Sequence, residues 1–288
     1  MKRLIINADD FGLTPGVNKA IIELNTAGAL SSATLMASGP FFADAVHLGF
    51  AQTTLGVGCH VVFTDGTPVL QPREIPSLID PSGRSSGRFR PTVGSFVSDL
   101  LRGRIRGAEL EAEAIAQIRR IQTSGLYVTH VDTHKHTHVF RRVLRPLLRA
   151  ARQCGVRAVR NPFEPTWSVA STPKAGVFRR LQVHALRAAC LGFGKLAREM
   201  ELSTTDGSIG LLATGILDRT LLCSLLRAMP NGTWELVCHP GYRDKVLEQT
   251  VTRLRATREV ELQALLSVVP ETLTKDSNLS LIHFGQLN

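Results

Sequence analysis

Short apolar runs that end in polar or charged residues alternate with longer helical stretches along this chain. That alternation limits its possible folds more than any other feature. Leu4–Ala8, Ala33–Ala37, Leu55–Phe63, Tyr127–Asp132, Val156–Arg160 and Trp234–Cys238 read as strands. Helical patterns follow over 17–25, 109–124, 140–154, 216–229 and 245–268. Strands separated by helices pair in parallel, so an α/β architecture is expected. At 288 residues the chain exceeds the roughly 150 of an average domain, but a single α/β barrel of about 250 fits as well. We read residues 1–288 as one domain with two insertions. A Pro-, Ser-, Gly- and Arg-rich loop lies near 70–91, and a basic helical segment lies near 170–205.

Thirty-four Lys and Arg stand against 24 Asp and Glu, a net charge of +10, which suggests an anionic neighbour. Nucleic acid is the weakest of the options. Two Trp and two Tyr, beside 12 Phe, argue weakly against base-stacking platforms, and the basic residues are spread over several helices rather than one stripe. Lys174 to Met200 reads either as an outer helix with a solvated basic face or as a surface for peripheral membrane contact. Five cysteines without a CxxC argue against a disulfide framework and for a reducing cytoplasm. Asp9 and Asp10 interrupt the first apolar run too early for a signal peptide, and no 18-residue apolar stretch occurs. The sequon at Asn231 has no force in a cytoplasmic chain.

Chemistry-bearing residues gather at the predicted strand ends, which converge on one face of a parallel α/β fold. Asp9 and Asp10 follow the first strand, where paired carboxylates can divide metal binding and proton transfer or can simply cap a turn. His60 lies in the third strand. His130, Asp132, His134, His136 and His138 fall within nine residues, and spacing of two puts alternate side chains on one face of an extended chain. They cannot all bind one ion, because single-metal catalytic sites usually keep three protein ligands. Arg160 ends another strand, where it can hold Asp9 ionised, and His239 sits before a Pro-Gly turn as a candidate general acid. An Asp with two His suits a divalent ion with open positions, hence metal-assisted hydrolysis of an amide or ester. A phosphoesterase using the same metal is the alternative, but no convincing Gly-rich phosphate loop is present.

Asn7-Ala8-Asp9-Asp10-Phe11-Gly12, Gly58-Cys59-His60, His130-Val131-Asp132-Thr133-His134 and His239-Pro240-Gly241 together resemble the YdjC-like carbohydrate deacetylases. This group includes chitooligosaccharide deacetylases and deacetylases associated with hopanoid biosynthesis. The resemblance implies a TIM-like (β/α) barrel related to polysaccharide deacetylases, and removal of acetyl groups from N-acetylated amino sugars with one divalent ion, Zn2+ or Mg2+. It implies Asp10, His60 and His134 as metal ligands, Asp9 as general base, His239 as acid to the leaving amine and Arg160 as the residue that orients Asp9. His130, Asp132, His136 and His138 receive no role from it. Lys135, where the family often has histidine, and the segment from Arg157 to Pro165 look closer to the hopanoid-associated branch. A lipid-linked amino sugar would suit that branch and the positive charge. A helix-rich barrel exterior also leaves room for a homodimer.

Overall fold

The computed structural model describes residues 1–83, 87–173, 175–176, 180, 183 and 190–287. Strands β1 (Lys2–Phe11), β2 (Ser32–Leu35), β3 (Gly56–Val61), β4 (Val131–Thr133), β5 (Gly207–Ile209), β6 (Gly232–Cys238) and β7 (Leu279–Leu281) pair in parallel throughout. The order is β4-β3-β2-β1-β6-β5, and β7 flanks the start of β1. The two ends of the curled sheet meet through single bridges rather than a regular strand. Val131 N–H donates to Ala158 O at 3.0 Å, and Val159 N–H donates to Ser203 O at 3.0 Å. The chain from Ser203 then runs into β5, completing a barrel-like ring.

Helices α1 (Pro15–Thr26), α2 (Phe42–Phe50), α3 (Val93–Leu101), α4 (Gly107–Thr123), α5 (Arg141–Gln153), α6 (Thr166–Ala170), α7 (Cys190–Glu199), α8 (Arg219–Ala228), α9 (Lys245–Gln249) and α10 (Ala256–Lys275) link the strands. Local chemistry starts several of them. Thr14 accepts from Val17 N–H with Pro15 in the first turn, and Thr92, Asp218 and Asp244 cap α3, α8 and α9 in the same way. Helix α5 buries Val143, Leu144, Leu147 and Leu148 and leaves its arginines outside.

The period of two along β1 sorts its side chains. Leu4, Ile6 and Ala8 join the main apolar core, while Ile5, Asn7 and Asp9 belong to the opposite, inner face. That interior is graded from one end to the other. Ile5, Ala158 and Phe284 close the floor, and Phe284 stacks on His130 at 3.8 Å between ring centroids. His130 Nε2 meets Asn7 Oδ1 at 3.1 Å, and Asn7 Nδ2 donates to Asp9 Oδ1 at 3.1 Å, where the charged layer begins. Gly58 makes room for this column, since a Cβ there would lie 2.4 Å from the His130 ring. Gly58→Ala is therefore expected to cost about 1–3 kcal/mol by overpacking, read as a lowered Tm.

Four expectations change in detail. The strand expected over Val156–Arg160 is not regular: Ala158 and Val159 make single bridges only. The expected helix over 245–268 is two helices, because the β-branched run Thr250-Val251-Thr252 leaves helical geometry at Thr250 (ψ 138°) and a new helix starts at Ala256. The strand expected over 127–132 is regular only at Val131–Thr133, although Thr129 and His130 already hydrogen-bond to β3. The chain does not stay extended through the histidines either. His134–Val139 forms a 3-10 turn, with Lys135 and His136 left-handed at φ 55° and 52°. The loop near 70–91 is strapped to α4 where described, since Glu113 accepts from Val69 and Leu70 N–H and Glu109 accepts from Ser77 N–H. Of the basic stretch, Lys174, Arg179 and Arg187 lie outside the described residues. Helix α7 packs Phe193, Leu196 and Ala197 inward. Among the described residues no helix is long and apolar enough to cross a membrane.

Candidate active site

A β-bulge brings two consecutive carboxylates to one rim. Ala8 pairs with Ala33 and Phe11 with Leu35, so Asp9 and Asp10 together oppose Thr34. Asp10 takes the extra residue's left-handed conformation at φ 67°, which Asp tolerates better than most side chains. Without the bulge, alternation would send the two side chains to opposite faces.

His60 is in register with Asp132 on the neighbouring strand. Its Nδ1 donates to Asp132 Oδ1 at 2.7 Å. Burial opposes its charge, but Asp132 and Asp9 override that and raise this imidazole to about 9, so Nε2 becomes an electron-pair donor when a cation takes the place of its proton. Nε2 lies 3.2 Å from His134 Nδ1 and 3.8 Å from Asp10 Oδ1, and His134 Nδ1 lies 3.6 Å from the same oxygen. These three atoms form a nearly even triangle. Donors about 2.0–2.2 Å from a single ion stand roughly 3–3.5 Å apart, so the donor set fits a divalent cation. His134 keeps 18% of its side chain exposed, so the triangle opens toward solvent, while His60 and Asp10 are buried. A second cluster, Asp9, His60 and Asp132, has suitable atoms but is already served by Arg160.

Arg160 is fully buried and joins three carboxylates. Nη2 and Nη1 grip Asp9 at 2.7 and 3.0 Å, Nη1 also pairs with Asp132, and Nε donates to Glu235 Oε1 at 2.7 Å. Burial alone would raise the Asp9 carboxyl, but Arg160, His60 and His239 outweigh it and hold the group far below the usual range. Burial also opposes ionisation of Asp10, and Arg258 and His134 likewise override it. Glu235 is the exception, pushed up to about 7 by burial despite Arg160. His239 Nε2 lies 3.8 Å from Asp9 Oδ2, and burial depresses this imidazole to about 4, leaving it neutral at neutral pH.

The remaining histidines of the cluster take other places. His130 sits in the column beneath the rim. His138 Nδ1 bonds Thr133 Oγ1 at 2.7 Å and is wholly buried. The His136 ring stands 6.4 Å from that of His138. Burial depresses His138 to about 3. Its folded value therefore lies below its unfolded one, so its contribution is complete above about pH 6.5 and is lost as pH falls toward 3. His138→Asn, which keeps a donor near Thr133, is expected to flatten the stability loss in that window. Urea denaturation across a pH series measures it.

The six residues singled out as a site, Asp9, Asp10, His60, His134, Arg160 and His239, meet at one rim. Sequence reasoning missed Arg258, Glu235, Glu261 and Thr34. Arg258 Nη2 lies 2.5 Å from Asp10 Oδ2, and Glu261 accepts from His239 N–H at 2.6 Å. Thr34 Oγ1 stands 3.2 Å from Asp9 Oδ1. Glu235 had a usable signal as a lone acid inside the apolar run from Trp234 to Cys238. Arg258 had none, being one basic residue in a helical stretch.

A ring of parallel strands with one carboxylate and two imidazoles at its carboxyl end defines an α/β barrel with a candidate metal centre. The chain belongs to the family described as YdjC-like protein, whose pattern matches residues 3–275. It is 29% identical to a carbohydrate deacetylase of Brevibacillus brevis, over 99% of both chains. It is 30% identical to a carbohydrate deacetylase of Geobacillus stearothermophilus, over 83% of this chain and 80% of the relative. A crystal structure from Enterococcus faecalis V583, of a protein described as acting in cellobiose-phosphate cleavage, shares the fold at TM-score 0.77. It is 24% identical and covers 99% of this chain and 98% of its own.

Proposed function

We propose that this protein is a metal-dependent hydrolase that removes the acetyl group from an N-acetylated amino sugar and releases acetate. The observation that carries this reading is the convergence of Asp10, His60 and His134 beside Asp9 and His239, in a chain related over nearly its whole length to carbohydrate deacetylases. Asp10 Oδ1, His60 Nε2 and His134 Nδ1 would hold one divalent ion, zinc or magnesium. Such an ion polarises an acyl oxygen and makes water a competent nucleophile near neutral pH.

The chain's own residues handle position and protons. Asp132 fixes the His60 tautomer so that Nε2 faces the site. Arg160 holds Asp9 ionised and in a set orientation beside the attacking water. Asp9 takes a proton from that water as the general base. His239, neutral and 3.8 Å away, takes this proton and gives it to the leaving sugar nitrogen. The water oxygen bonds to the acetyl carbon, the C–N bond breaks, and acetate and a free amine result.

The test is acetate release from free, oligomeric and lipid-linked N-acetylglucosamine, with and without a chelator. Chelator-sensitive release is expected from at least one member, and the preferred one names the substrate. A protein that binds metal yet releases no acetate from the panel would overturn the deacetylase reading in favour of another metal-dependent hydrolase.

A further inference from the structure

We infer, building on the metal site proposed above, that Arg258 is a positioning residue of that site: it occupies one oxygen of Asp10 so that the carboxylate presents only the other to the two imidazoles. The two Asp10 oxygens have separate partners. Oδ2 lies 2.5 Å from Arg258 Nη2, while Oδ1 faces His60 Nε2 at 3.8 Å and His134 Nδ1 at 3.6 Å. A carboxylate free at both oxygens can rotate, or chelate through both; one tied by a guanidinium can do neither without breaking that bond.

The surroundings hold the arginine in place. It is 1% exposed, its Nε donates to Leu254 O at 3.1 Å, and its main-chain carbonyl accepts from Gly241 N–H at 3.3 Å. A Cβ at Gly241 would fall 3.1 Å from Arg258 Cδ and 3.0 Å from Val17 Cγ2, so the glycine of the His239-Pro240-Gly241 turn leaves space for the stem. The break between α9 and α10 puts Arg258 in the first turn of a new helix, and Glu261, one turn on, holds the His239 amide at 2.6 Å. One helix end thus secures a ligand carboxylate and the backbone of the candidate acid. A buried guanidinium is expensive to desolvate, and an apolar residue would fill the volume as well. Beyond its Nε bond to Leu254 O, its ion pair with Asp10 is the charged interaction an apolar residue could not supply.

The test uses full-length protein stripped of metal, titrated with Zn2+ by calorimetry and then loaded with Co2+ for visible spectroscopy. Arg258→Met is expected to weaken Zn2+ binding by about 10–100-fold. It should also change the Co2+ ligand-field bands, because Asp10 becomes free to bind through both oxygens. Arg258→Lys, which still offers one donor, should recover part of the affinity and the wild-type band shape. A purely structural role would lower Tm and leave the Co2+ spectrum of the folded protein unchanged. Zn2+ affinity within twofold of wild type, or superimposable Co2+ spectra, would overturn the inference. If Arg258→Met does not fold, Arg258→Lys decides alone, with a loss of a few-fold in affinity in favour and no change against. Wild-type binding that survives both His60→Ala and His134→Ala overturns the metal reading, and this inference with it. Binding that needs both histidines but is indifferent to Arg258 overturns this inference alone.

Discussion

Arg160→Met is expected to destabilise the protein by about 3–5 kcal/mol, the range for removing one partner from a buried ion pair. The guanidinium is the shared counter-charge of Asp9, Asp132 and Glu235, and all four side chains are essentially closed to solvent. Methionine matches the length of the stem and leaves three carboxylates facing one another. Asp132 keeps its bond from His60, and the carboxylates left without the guanidinium relieve the repulsion by taking up protons. Their folded pKa values then rise above the unfolded ones, so the folded state binds more protons and stability falls as pH rises through the new values. The deficit should therefore widen between about pH 5 and pH 8. Urea denaturation of both proteins at the two ends of that range measures it. Arg160→Lys should rescue little, since a single ammonium cannot reach three carboxylates at once. A deficit below about 1 kcal/mol, the scale of an exposed pair, would show that the network is not the internal brace it is taken to be.

Asp9→Asn carries the largest expected effect on turnover, a fall in kcat of about 10²–10⁴-fold with metal content unchanged. The amide keeps the shape of the side chain but has no charge to receive a proton. It also turns an N–H toward the Arg160 fork, where an oxygen now accepts at 3.0 Å. The donor triangle of Asp10, His60 and His134 does not include Asp9, so Zn2+ binding should survive. His60→Ala and His134→Ala make the contrast, because each should lose metal and activity together. Parallel metal analysis and acetate assays separate the two classes. Wild-type turnover in Asp9→Asn would remove Asp9 from the reaction and leave His239 as the base.

Much of this arrangement was legible because a parallel barrel gathers whatever follows each strand. Asp10 near the end of β1, His60 in β3 and His134 after β4 could be placed at one rim from strand ends alone. The bulge could not, since two adjacent residues in a strand should face apart and nothing in Asp9-Asp10 says that the strand gains a residue there. The spacing of two in the histidine run predicts an extended chain, but the left-handed pair Lys135 and His136 turns it, so of that run His134 reaches the donor triangle. Arg258 was hidden because a continuous helix over 245–268 leaves it one basic residue among several, whereas the break before Ala256 puts it in a first turn beside Asp10.

The place of β1 has a consequence for how the protein is made. Its Lys2–Ala8 segment pairs with β6 from Gly232 onward, and its first residues pair with β7 from Leu279. On a ribosome adding about 5–20 residues per second, the first strand therefore waits on the order of ten seconds to a minute for these partners. During that interval β2 can pair with Asn7 and Ala8, but the opposite edge of Leu4 to Ala8 has no strand beside it. This run is bracketed by Lys2 and Arg3 on one side and by Asp9 and Asp10 on the other. Charges flanking an apolar strand discourage it from pairing with other nascent chains. The two aspartates at the rim thus also put charge beside the apolar run of the strand that waits longest for its partners.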